Sequence, residues 1–254
     1  MASLEKSKYQ GIFLNRTGKV IHKNSVSNNQ MKNRRGGKDK LNIEEAKSKL
    51  MGNKVENTNE LVTVASLPSV SEQHIEPSWI DVYMSGKYSA NTLEHGCKYC
   101  VKDVDFYYYQ TYVLPNEWEI TWHQNSLQAG ALCVKMYAWY AVKDPLHDDL
   151  NADIRDDTYD QVYIAGSDKS STNSAISAVG GIGLHRKVDQ YLFLTQYRAG
   201  TPGVIGAQSS GMVEQEGTQV LATNGKYVYE ILGHYYNGSS KVGGYGKIFE
   251  FFVY

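Results

Sequence analysis

The sequence predicts an α+β domain wrapped around one buried helix. Three observations point there. Past residue 124, Leu127, Ala131, Val134, Ala138 and Ala141 form an apolar stripe at helical spacing, widened by Gly130, Cys133 and Tyr137. Only Gln128 and Lys135 stand out as polar, and a helix apolar nearly all round belongs inside a fold. Upstream, "SWIDVYM" alternates apolar and polar side chains, the period of a half-buried strand. Downstream, short helical and strand-like runs alternate, separated by glycines.

Taken in order, Tyr9–Lys23 reads as a short hairpin turning at Arg16-Thr17-Gly18. Residues 24–59 are polar, and Asn42–Met51 inside them reads as one short helix with an asparagine N-cap. This N-terminal arm runs over residues 1–76, a globular body over 77–238 and an apolar extension over 239–254. In the body, Val101–Leu114 predicts a strand leading into a short helix. The buried helix follows, capped by Asn125 or Ser126. His147–Tyr163 predicts a solvated acidic loop ending in a strand. Thr172–Gly181 predicts a helix with a glycine stop. Tyr191–Gly200 predicts a strand entering a glycine turn, and Gly217–Gly225 and Tyr227–Tyr236 predict two more helices. Gly246–Tyr254 is a strongly apolar strand, which left exposed is an edge for assembly.

Bulk composition narrows the function classes. The 254 residues hold 26 Lys+Arg against 27 Asp+Glu, for a net charge of −1. Such balance gives no support for binding nucleic acid or another polyanion. No run approaches the ~18 apolar residues of a membrane span. The opening "MASLEKSKYQ" lacks the apolar core of a signal peptide. The expectation is a protein kept inside its cell, or one whose targeting segment has been removed. Tyrosine is over-represented, at 20 against 6 phenylalanines, which suits β-structure and carbohydrate-facing surfaces.

Glu117 raises the chemical question. It follows Pro115-Asn116, sits beside Trp118 and lies five residues before Trp122. An apolar aromatic wall penalises the carboxylate anion and raises its pKa, which makes a general acid. The competing reading is an ordinary turn residue near a helix start, favoured there by the helix dipole.

The order and spacing of several blocks resemble the stage II sporulation protein D family. "DFYYYQTYVLPNEWEITWHQNSLQAGALCVKMYAWY" looks like the family's strand, glutamate, aromatic or proline turn, and alanine-rich helix. "DDTYDQVY" is similar to its D-T-x-x-Q-V-Y segment. "TQYRAGTPG" falls where many members carry a loop lining the groove, and Ser210–Gly238 resembles the closing block. The resemblance implies a single domain with a glycan-binding groove, over residues 77–238. It implies lytic cleavage of peptidoglycan, linked to sporulation or wall remodelling, with Glu117 as the catalytic acid and base. Trp118, Trp122, Tyr197, Arg198 and Gln215 are the expected substrate-binding residues. The chain departs from the common pattern in its first groove loop, Gln196–Gly200, and in having Asp156 and Asp160 where many members carry a cysteine pair. Glu216 stands where an aromatic is common.

"HGCKYC" supplies His95, Cys97 and Cys100, three of the four ligands a structural zinc needs, with Cys133 as a distant fourth. Without a second C-x-x-C, the simpler readings are a hairpin turn with reduced thiols or a redox or disulfide pair, and no cofactor is expected. The expected partners are peptidoglycan glycan strands. The alternative is a non-catalytic structural or wall-binding protein that reuses the fold and assembles into homo-oligomers or polymers through its terminal segments.

Overall fold

A computed structural model describes residues 13–14, 20–22, 48–52 and 72–254. The chain divides into two compact units, 1–41 and 42–254. In the first, β1 (Phe13–Leu14) pairs antiparallel with β2 (Val20–His22), as the hairpin pattern predicts. The predicted turn at Arg16-Thr17-Gly18, most of the arm and the Asn42 cap lie outside the described residues.

The second unit reaches further towards the N-terminus than the boundary expected at Pro77. The helical stretch 48–51 delivers Leu50, 2% exposed, to the core. Residues 72–76 also pack on the body: Glu76 Oε1 accepts from the Tyr254 hydroxyl at 2.7 Å.

The strand prediction for "SWIDVYM" holds. β3 (Trp79–Met84) buries Ile80, Val82 and Met84 on one face. It lies between β4 (Cys100–Asp105), antiparallel, and the short β5 (Ile154–Arg155), parallel. Helix α1 (Ser89–His95) bridges β3 and β4 and stops at Gly96, whose φ of +70° suits glycine. Asp105 then caps α2 (Phe106–Glu117) by accepting from the amides of Tyr107 and Tyr108, both at 3.1 Å.

Helix α3 (Gln124–Lys143) is the predicted central helix, and 14 of its 20 residues are buried. It packs against α2, α4 (Ser170–Ala178), α5 (Gln215–Thr223) and α6 (Val228–Tyr236). Its cap differs from the expectation: His123 Nδ1 accepts from the Asn125 amide. Asn125 and Ser126 bond outward instead, to the Lys226 carbonyl and the Thr218 hydroxyl. Lys135, read as a polar position, is 1% exposed. Its ammonium donates to the Val179 carbonyl at 2.7 Å and the Tyr254 hydroxyl at 3.2 Å.

Two expectations need correction. The acidic segment is not a solvated loop: Asp156 is fully buried and accepts from the Ser85 amide and Asn91 Nδ2. Asp160 accepts from the Arg155 amide and Tyr137 hydroxyl and pairs with His147. Its strand is β5, at residues 154–155, rather than at the segment's end. The strand expected over Tyr191–Gly200 shrinks to β7 (Tyr197–Arg198), parallel to β8 (Val213–Glu214).

The apolar tail is an integral strand. β9 (Phe249–Val253) pairs antiparallel with β6 (Ile182–Arg186) and buries Phe249 and Phe252. Gly183 is required in this register, because a Cβ there would lie 2.3 Å from the Phe252 ring. Among the described residues, no helix is long and apolar enough to cross a membrane.

Candidate functional site

Glu117 is the last residue of α2, not a residue at a helix start. Pro115 sits inside the final turn, lacks the N–H that would hold it, and leaves the helix to end two residues on. The helix therefore presents its carboxyl group at the negative end of its own dipole, where an anion is disfavoured.

Glu117 lines a cleft of about 420 Å³, together with Pro115, Trp122, Lys169, Gln215 and Glu216 among others. Four segments meet there: the α2–α3 connection, the start of α4, Ala199 just after β7 and the start of α5.

Two donors hold the carboxyl group. The Val162 amide donates to Oε1 at 2.6 Å. Gln215 Nε2 donates to Oε2 at 3.2 Å and to the Glu117 carbonyl at 2.6 Å. Burial works against both and prevails, pushing the carboxyl up to about 7. A glutamic acid titrating there is half protonated at neutral pH, the condition general acid and base catalysis needs.

The residues expected to bind substrate are spread unevenly around the cleft. Trp118 borders the cleft but is 1% exposed, so it is a wall rather than an open stacking platform. Its Nε1 donates to Thr218 Oγ1 at 3.1 Å, and its ring fills the space over Gly130, where a Cβ would lie 2.5 Å away. Trp122 is half-buried and lines the cleft. Gln215, 8% exposed, spends its amide hydrogens on Glu117 and positions the acid.

Tyr197 and Arg198 do not line the cleft. The Tyr197 ring packs edge-on to Trp118 at 4.9 Å, and its hydroxyl accepts from Gln161 Nε2. Arg198 extends into solvent and pairs with the buried Glu214. They brace the wall behind Glu117, because β7 pairs with β8 immediately before α5.

His95, Cys97 and Cys100 stand apart from the cleft. Cys97 and Cys100 are joined in a disulfide, which takes both sulfurs out of the thiolate form a metal needs. His95 Nε2 hydrogen-bonds with the Tyr163 hydroxyl at 3.0 Å. Among the described residues, no group of three His, Cys, Asp or Glu is placed to hold a metal ion. Cys133 is a buried free thiol, pushed up to about 12 by burial.

Three contributors escaped sequence reasoning. The Val162 amide has no side-chain signature, although the resemblance had marked its segment. Lys169, ahead of α4, lines the cleft but belongs to no motif that would single it out. Thr218 ties the wall together, accepting from Trp118 and donating to the Gln215 carbonyl at 2.6 Å.

Residues 95–184 match the family described as SpoIID, stage II sporulation protein. The matched stretch holds Glu117, Val162 and Lys169, while Gln215 lies beyond it. It places this region with a family of sporulation-related cell-wall function. No curated protein matches the chain.

Proposed function

We propose that the protein cleaves peptidoglycan glycan strands by a lytic transglycosylase-like mechanism, with Glu117 as the single acid and base. The observation that carries the reading is one buried carboxyl, pushed up to about 7, at the edge of an open cleft. In the first step Glu117 gives its proton to the glycosidic oxygen, and the bond from that oxygen to the anomeric carbon breaks. In the second, the 6-hydroxyl of the same muramic acid attacks the anomeric carbon and returns its proton to Glu117. A 1,6-anhydro ring forms, no water is consumed and the acid is regenerated. This departs from the two-carboxylate scheme of most glycosidases.

The site supports both halves. Burial keeps the proton on Glu117 before the first step. The Val162 amide and Gln215 stabilise the anion between steps. Trp122 offers an apolar face to the sugar.

Glu119 and Glu216 also line the cleft, so hydrolysis with a second carboxylate is the competing chemistry. The products decide between them. Glycan strands freed of stem peptides are digested, and 1,6-anhydromuramic ends are counted against reducing ends. The proposal expects anhydro products from wild type and none from Glu117→Gln; reducing ends alone would assign hydrolysis. A wild type that yields neither above the Glu117→Gln level leaves the non-catalytic reading. That reading must also accommodate a terminal strand already paired with β6 in its own chain.

A further inference from the structure

Helix α2 carries more than the acid at its end. Tyr107, Tyr108 and Tyr112 lie on its outer side; Tyr107 is 49% exposed and the other two are half-buried. The Tyr108 and Tyr112 rings are 5.9 Å apart and inclined by only 26°. Tyr107 meets Tyr108 edge-on at 6.0 Å. A second layer backs one of them: Tyr112 leans on the buried Tyr163, which stacks on the buried Tyr109 at 5.5 Å and 6°.

The row continues into the cleft. One turn beyond Tyr112 is Asn116, a cleft residue whose Nδ2 donates to the Tyr112 carbonyl at 2.7 Å and to Ser167 Oγ at 2.8 Å. Tyr108, Tyr112 and Asn116 therefore follow one another at steps of about 6 Å along the helix. That step is close to the advance of one sugar residue along a β-linked strand.

We infer that this tyrosine row holds the sugar residues of the glycan strand that extend beyond the one at Glu117. The inference rests on the glycan reading of the cleft. A polymer that enters an open cleft must leave it over the neighbouring surface, and the outer side of α2 leading away from Asn116 carries these rings. The C–H faces of a pyranose lie flat on aromatic rings. Tyrosine suits such a surface because one end is apolar and the other wet. Tyr112, already braced by Tyr163, loses little freedom on binding.

The test is calorimetric binding of glycan strands, from disaccharide to octasaccharide, to the full chain carrying Glu117→Gln so that nothing is cut. Affinity is expected to rise with strand length. Tyr108→Ala and Tyr112→Ala each lower the affinity for long strands by about 2- to 10-fold and flatten the length dependence. Tyr108→Phe and Tyr112→Phe retain most of it, which separates lost stacking from lost folding. Affinity independent of length, or a length dependence the alanine variants do not alter, overturns the inference. So does concentration-dependent self-association that the same variants abolish, which would make the row an interface between copies. A wild type without cleavage whose inactive variant still shows tyrosine-dependent length recognition would sink the enzymatic reading and leave this one standing.

Discussion

Glu117→Gln is expected to abolish cleavage and, above neutral pH, to stabilise the fold. An ordinary glutamate titrates at 4.5, while burial moves Glu117 to about 7. Between those values the unfolded chain gives up a proton that the folded chain keeps, so stability falls as pH rises through the window and levels off above it. At ~1.4 kcal/mol per pH unit, the displacement makes ionised Glu117 a burden of about 3 kcal/mol on the folded state at pH 8. Glutamine removes that burden and still accepts from the Val162 amide. Its own amide, however, meets Gln215 Nε2, donor against donor, which offsets about 1 kcal/mol. The net gain is about 2 kcal/mol at pH 8, or roughly 4–8 °C in Tm for a domain of this size. At pH 4 both wild-type states are mostly protonated, so little beyond the mismatch remains and the variant melts slightly lower. Thermal melts of both proteins at pH 4, 6 and 8 read this directly. A Tm difference that does not change with pH, or a variant less stable at pH 8, would refute the claim that the carboxyl is desolvated.

Three further outcomes are expected. Gln215→Ala removes a donor to the Glu117 carboxylate, so the Glu117 limb of the pH–rate profile moves upward by roughly one pH unit; an unmoved limb would mean that the 3.2 Å bond does not act on the acid. Gly130→Ala forces a methyl to within 2.5 Å of the Trp118 ring and is expected to cost about 1–3 kcal/mol in urea unfolding, with a parallel loss of activity as the cleft wall shifts. Phe249→Ala empties a fully buried site where β9 meets the core and is expected to cost about 3–5 kcal/mol, whereas a tail used for assembly would change the oligomeric state and leave stability alone.

Elements set by short-range pattern were legible. The alternation of 79–84 gave its inward face correctly, because strand period is a local property. The buried character of 124–143 followed from composition alone, since no solvent-facing stripe remains. The helices 215–223 and 228–236 and the terminal strand were readable for the same reason. Cleft residues were legible unevenly. Glu117 and Gln215 were singled out through the resemblance and meet in the structure, where Gln215 donates to Glu117, whereas Tyr197 and Arg198 lie off the cleft lining, packed on Trp118 and paired with Glu214.

What the sequence by itself determined was the residue inventory, the central helix and the carboxyl worth asking about. Local periodicity and composition carry that much, because each is decided within a few residues of chain. Only the tertiary structure decided that Glu117 ends a helix, that the Val162 amide 45 residues away meets its Oε1, and that Gln215 from 98 residues away meets its Oε2. It also decided that Asp156 is buried and that the tail pairs with β6. Whether a carboxyl is solvated, and hence whether it is an acid at neutral pH, depends on which distant segments displace its water. That displacement is a property of packing and is written in no single stretch of the chain.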